Sequence, residues 1–472
     1  SYTQIAKLTS ATDAGSNPTG SNISTYYKVK ISISQTADTY TGKVKYTLVH
    51  PNTAPAPAEP LADADCPANT ICYAPNANNI EGSMDSISET KISKSPTAGV
   101  QIQTRNNSGT LVNITSNSEA TLIVPDYSRP GYGFAGWSPE FDTTTVTNPV
   151  IYGPNQSITF STSGDGDADI SEHGLILYPV WIASTGNLQN WQGCSSLTRA
   201  TYDAANNKMI ATLSSVAALT DQRDGDVYAV ARLADGNCWM MENLRLDANS
   251  TTGVNSSLAQ GYGGVFAGLD VSENSNFEDD NINATPTNMY NTTNITGDYQ
   301  STRIPRYNNV NTDRTLTARY REPGYLTYYR WHGYGNYYNW PAAIANTTFY
   351  NSSASESAET SLCPVGWKLP YGRYTGDNVE VGGFFYLNTL MSNNTSAQGS
   401  KDWRMFPNNY VYSGMFSSNY EGNRDYSGVY WSSTANQNTI SATFYLAAGS
   451  ISPGIGTYGK NIGLSVRCIV DF

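Results

Sequence analysis

Six cysteines, at positions 66, 72, 194, 238, 363 and 468, constrain this chain more than any other feature. None forms a CxxC, and the three histidines, His50, His173 and His332, are scattered, so the ligand spacing of a zinc site is missing. An even cysteine count in a chain rich in Tyr, Asn and Thr points to disulfides made in an oxidising compartment. Six cysteines admit many pairings. The expected one joins Cys66 to Cys72 as a local loop, Cys194 to Cys238, and Cys363 to Cys468. The last closes a loop of about 105 residues, a tether worth up to ~4–5 kcal/mol through the entropy it takes from the unfolded chain.

What lies between the cysteines favours sheet. Charged residues are 14% of the chain and aromatics 12%, with 34 Tyr against 12 Phe. Ser, Asn and Thr compete with helical backbone hydrogen bonds, whereas Tyr and Thr suit half-buried strands. The expectation is a β-rich α+β chain of several domains, since 472 residues exceed the usual domain size several-fold. A net charge of −12 gives no basic footprint for nucleic acid or anionic lipid and suits solubility outside the cell. No apolar run approaches the ~20 residues of a transmembrane helix. The chain begins at Ser1 without a charged-then-apolar leader, so a signal peptide is expected to have been removed.

Residues 1–50 form an N-terminal β region, a hairpin or part of a sandwich. Tyr27, Val29, Ile31 and Ile33 alternate with Lys28, Lys30, Ser32 and Ser34, and Val44, Tyr46 and Leu48 alternate with Lys43, Lys45 and Thr47. Period two buries one face of each strand. Two strands are not stable alone, so this hairpin needs more strands, from residues 1–26 or from another subunit. Residues 51–65 (PNTAPAPAEPLADAD) read as a semi-rigid, polyproline-like linker. Residues 66–182 are a second β unit, with strand candidates at 100–104 and 121–124. Its RPGYGFAGW, residues 129–137, satisfies GxGxxG, but Pro130 precedes it and no helical pattern follows, so it reads as a glycine-rich turn. Asp165, Asp167 and Asp169 alternate like the start of a calcium loop, yet position 176 is Ile where the loop needs an acid. Calcium and a solvated acidic loop are both open, and no other cofactor is implied. Residues 187–472 are the largest unit, with a strand expected at 227–233, a polar insertion at 247–320 and a helix at 384–391.

Two resemblances follow from the motifs. Gly131, Tyr132, Phe134, Gly136 and Trp137, with Leu177, Tyr178 and Trp181 some forty residues later, resemble the Listeria–Bacteroides, internalin B-type repeat of bacterial surface proteins. That implies a small β-grasp-like spacer domain. Four further blocks resemble the Fibrobacter succinogenes major paralogous domain of secreted bacterial proteins. They comprise Asp235, Gly236, Asn237, Trp239, Asn243 and Leu244, then Gly335, Tyr338, Trp340, Ala342 and Ala343, then Cys363, Pro364, Gly366, Trp367, Leu369 and Pro370. The fourth holds Tyr430, Trp431, Ser432 and Ser433, and the match ends on Val466, Arg467 and Cys468. More distantly, Gly-Trp-x-Leu-Pro and the closing Val-Arg-Cys look like the C-type-lectin-like fold shared with formylglycine-generating enzymes, whose catalytic cysteine pair has no counterpart here. Such a fold brings the chain ends together, which a Cys363–Cys468 bond suits.

No GxSxG, HExxH or Walker loop occurs, and no two acids stand out as a pair, so the chain reads as a binder, not an enzyme. Trp239, Trp367 and Trp431 read as core anchors, and Arg467 as a structural arginine. Tyr325, Tyr328, Tyr329, Trp331, Tyr334 and Tyr337, in a run of aromatics ending at Trp340, are the ligand-binding candidates. Tyr and Trp combine rigid apolar area with a polar handle, which suits sugar stacking or protein hot spots. The expected function is that of a secreted bacterial cell-surface adhesin, binding a glycan or a protein of a host or neighbouring cell. The alternative is a subunit of a surface layer or filament that self-assembles by β-strand contacts.

Overall fold

The computed structural model describes residues 59–77, 81–82, 100–105, 111–112, 119–161, 168–169, 173–245, 301–303, 334–344, 357–372 and 381–470, interrupted by gaps of at most four residues. All belong to the unit Pro55–Phe472. The hairpin expected at 27–48 lies outside the described residues. The described residues form a β-rich α+β fold.

The strands that organise it are β1 (Ile71–Tyr73), β2 (Val100–Ile102), β3 (Tyr132–Ser138), β4 (Leu175–Asn187), β5 (Val216–Thr220), β6 (Val227–Arg232), β7 (Cys238–Met240), β8 (Trp367–Lys368), β9 (Ser427–Ala435), β10 (Ile440–Ala447), β11 (Ser450–Gly459) and β12 (Ile469–Val470). Nine of them make one mixed sheet in the order β8-β12-β7-β6-β5-β4-β1-β2, with β3 also paired to β4. The long strand β4 is its spine. Its start runs parallel to β1, its middle pairs antiparallel with β3, and its end runs parallel to β5. The sequence explains the division. LILYPVWI is largely apolar and buried from Ile176 to Val180, whereas the tail alternates between partly covered and exposed positions.

This sheet runs without a break from residues 66–182 into residues 187–472. The glycines of RPGYGFAGW serve that join. They do not form the turn read from sequence, because residues 132–138 are the strand β3. A Cβ on Gly133 would lie 2.6 Å from the Ala229 backbone nitrogen of β6, and one on Gly136 2.6 Å from the Tyr152 carbonyl. Only glycine lets these backbones approach so closely.

The end of the expected linker is also packed against the body. Leu61 is buried with Cys66, Cys72, Ile176 and Tyr178, and its N–H donates to the Tyr178 hydroxyl at 2.9 Å. An apolar side chain beside a short 3-10 turn, Asp63–Asp65, is anchored there and is not a spacer. Residues 51–58 lie outside the described residues.

Strands β9, β10 and β11 form a separate antiparallel meander. Every residue of β9 is buried because both of its faces are covered. Val429 and Trp431 join the cluster of Trp340, Trp367 and Cys363–Cys468, while Tyr430 joins Phe444, Trp403, Tyr410 and Trp239. Three short helices, α1 (Trp340–Ile344), α2 (Phe384–Leu390) and α3 (Ala397–Arg404), close the layers. Ser396 caps α3 by accepting the Gln398 N–H at 3.3 Å. Three disulfides staple the fold, Cys66–Cys72, Cys194–Cys238 and Cys363–Cys468.

Candidate functional site

The motif blocks meet around the last residues of the chain. Arg467 is fully buried. Its Nε donates to Asn243 Oδ1 at 2.7 Å, and its two terminal nitrogens donate to the carbonyls of Asn408 at 2.7 Å and Asn409 at 2.5 Å. Its guanidinium lies 4.1 Å above the Tyr410 ring. The tryptophans fix loops in the same way. Trp239 donates to the Asp235 carboxylate at 3.0 Å, Trp367 to the Leu188 carbonyl at 2.7 Å, and Trp431 to the Tyr338 carbonyl at 2.7 Å. Burial raises the Asp235 carboxyl, and its bonds from Asn237 and Trp239 hold part of that rise back.

From this core one long insertion leaves at Arg245 and returns at Tyr334. Its two stems are bonded to each other. Asn336 N donates to the Leu244 carbonyl at 2.9 Å, Asn336 Nδ2 to the Arg245 carbonyl at 3.0 Å, and Asn243 Nδ2 to the Tyr334 carbonyl at 2.9 Å. Gly335 adopts φ +75°, and a Cβ there would sit 2.6 Å from Asn243 Cβ. The returning strand, Asn336–Tyr338, pairs with Ser301–Arg303 and bridges to Leu464. The insertion is therefore held at a rigid, buried base.

Two of the ligand-binding candidates need correction. Tyr334 is 2% exposed with its hydroxyl donating to Asp425, and Tyr337 is fully buried with its hydroxyl donating to the Ser413 carbonyl. Both are packing residues, because residues 334–340 run through the interior and a buried phenol is satisfied inside. Tyr325, Tyr328, Tyr329 and Trp331 lie outside the described residues. So do Asp165 and Asp167 of the calcium candidate, and of Asp169 only the backbone is described, in a two-residue strand. Among the described residues, no group of His, Cys, Asp or Glu is placed to hold a metal.

None of the motifs read from sequence points to the clamp at Glu242. This carboxylate is buried and accepts the N–H of Ala229 at 2.7 Å, the N–H of Phe134 at 3.3 Å and Arg245 Nη1 at 2.9 Å. It thus fastens β3 to β6 at the join between residues 66–182 and 187–472. Burial raises its carboxyl, with Arg245 opposing that rise.

Lys460 is another buried charged residue, its ammonium 4.4 Å over the Trp340 ring. Burial pushes it down to about 8. The folded state disfavours its charged form, so the penalty is present below about pH 8 and is relieved as pH rises towards the ordinary lysine value. Lys460→Met will therefore raise the melting temperature near neutral pH, and the gap to the native chain will narrow by about pH 9.5. A gap that stays constant across that range would show that the buried charge is not what it reports.

Compared with family models, with curated proteins and with solved structures, the chain matches none. The two family resemblances accordingly rest on their motif residues alone. Three disulfides, and the lack of any helix among the described residues long and apolar enough to cross a membrane, are compatible with an extracellular location.

Proposed function

We infer that this is a secreted, adhesin-like bacterial surface protein that recognises a glycan or cell-surface protein through residues 246–333. The carrying observation is the hydrogen-bonded stem formed by Asn243–Arg245 and Tyr334–Asn336, set in a disulfide-closed core. Binding residues are commonly carried on segments that a rigid scaffold positions. The sequence nearest the base carries Tyr325, Tyr328, Tyr329 and Trp331, which offer large contact area with few charges to desolvate.

The test uses the full chain with Tyr328→Ala, Tyr329→Ala and Trp331→Ala, measured on a glycan array and on whole cells. Binding should fall about tenfold or more for a hot-spot aromatic, with the melting temperature unchanged. Binding equal to the native chain in all three variants overturns the assignment. A chain that binds neither glycan nor cell, yet sediments as a polymer, supports the surface-layer or filament subunit instead.

A further inference from the structure

The turn that joins β6 to β7, Leu233–Asn237, is closed by its own backbone and tied down by a disulfide. Leu233 N donates to the Asn237 carbonyl and Gly236 N to the Leu233 carbonyl, both at 2.9 Å. Cys238, the first residue of β7, is bonded to Cys194 in the 3-10 turn Gly193–Ser196. Two arginines are fixed on this frame. Arg232, the last residue of β6, donates Nε to the Gly236 carbonyl at 3.0 Å and Nη1 to the carbonyls of Ser195 at 3.2 Å and Leu197 at 3.1 Å. Arg199 donates both Nε and Nη2 to the Ala234 carbonyl. Ala200 N, the next residue, donates to the Arg232 carbonyl at 2.9 Å, so the two arginines lie on neighbouring stretches of backbone.

The carbonyls orient these guanidiniums without neutralising them. Among the described residues, neither arginine is in an ion pair. The acids on the same segments are turned elsewhere. The Asp235 carboxylate accepts Asn237 N at 3.1 Å, Asn237 Nδ2 at 2.9 Å and Trp239 Nε1 at 3.0 Å. Asp203 accepts Ala205 N at 3.0 Å and Asn206 Nδ2 at 2.7 Å within its own hairpin, with Lys208 opposite it. A guanidinium has five N–H donors in a fixed fork. Arg199, which is exposed, spends one edge on Ala234 and keeps its terminal fork, and Arg232, partly exposed, keeps Nη2. A Cβ at Gly236, φ +85°, would meet nothing within 4 Å, so the space over the turn is open. In a chain of net charge −12, two cations set on one turn without an acid repel each other, a cost that a bound anion removes.

We propose that Arg199 and Arg232, on the turn Leu233–Asn237, form an oxyanion site for an acidic glycan, one that carries a carboxylate or a phosphate. The fork of a guanidinium matches two oxygens of either group, and such charge-assisted bonds are stronger than neutral ones. Carbonyls and the Cys194–Cys238 bond already hold the frame, so little freedom is lost when the anion binds. The proposal rests on the glycan-binding reading above and adds to it the charge of the ligand, at a site outside residues 246–333.

The experiment measures the full chain on whole cells and on immobilised polygalacturonate and polyglycerol phosphate, which separate carboxylate from phosphate, with dextran as the neutral control. The native chain should bind one acidic polymer above dextran, and less well in about 0.5 M salt than in about 0.05 M, where exposed charges are screened less. Arg199→Gln should weaken that binding by about tenfold and Arg199→Lys by about threefold, because lysine keeps the charge but not the fork. Melting temperatures within a few degrees of the native chain show that the variants remain folded. Should Arg199→Gln unfold, Arg199→Lys, which can still donate to the Ala234 carbonyl, carries the test. Native-like binding by the folded Arg199 variants overturns the site while leaving the adhesin reading in place. Binding to dextran or to cells, with none to either acidic polymer, does the same. No binding to any of these surfaces overturns both.

Discussion

Removing the Cys363–Cys468 bond, by replacing both cysteines with alanine, will lower stability by about 3–5 kcal/mol, the largest loss of the three disulfides. The bond spans 105 residues, whereas Cys194–Cys238 spans 44 and Cys66–Cys72 spans 6. The entropy that a crosslink removes from the unfolded chain grows with the logarithm of the loop, so the longest bridge should cost roughly twice the shortest when lost. Native packing adds to the difference. Cys363 and Cys468 are buried among Trp340, Trp367, Trp431 and Val470, and the bridge lies beside the pairing of β8 with β12. The ordering can be read from denaturant midpoints of three double-alanine variants. Should the Cys66–Cys72 variant prove as unstable as the Cys363–Cys468 variant, loop entropy is not what ranks them.

The parts of the fold that were legible share a local signal. The helix at 384–390 follows two glycines with a dense apolar run, and the strand at 227–232 opens with a continuous apolar stretch, residues 227–231. Trp239, Trp367 and Trp431 read as anchors because each sits in a block with a Cys, a Pro or a Ser-Ser, and all three are fully buried. What was illegible depends on distant partners. Glycine usually marks a turn, so GYGFAG reads as one until the backbones of Ala229 and Tyr152 are seen 2.6 Å from where side chains would stand. Glu242, between two methionines and an asparagine, gives no hint that two backbone N–H groups and an arginine await it inside. Tyrosine is the least decidable type, since a buried phenol and an exposed one look alike in sequence. Tyr334 and Tyr337 are inside, whereas Tyr426 is half exposed.

Arg467→Met will destabilise the protein by about 3–5 kcal/mol, because three buried neutral acceptors lose their charged donor at about 1–3 kcal/mol each. The methionine fills much of the volume but donates nothing. It would leave the carbonyls of Asn408 and Asn409 and the side chain of Asn243 without their donors, all at buried positions. Lysine would not rescue the loss. Its single ammonium cannot reach two adjacent carbonyls and a side-chain amide at once, and it lacks the flat face that lies over Tyr410. Loss of the donor to Asn243 also bears on the insertion, because the other end of that amide holds the Tyr334 carbonyl at 2.9 Å. The variant should therefore do more than lower the midpoint. Amide exchange at Asn336, whose N–H closes the stem on Leu244, should speed up in Arg467→Met even under conditions where β6 stays protected. Exchange that accelerates equally in β6 and at the stem would mean that Arg467 supports the fold as a whole and has no particular part in holding the base of residues 246–333.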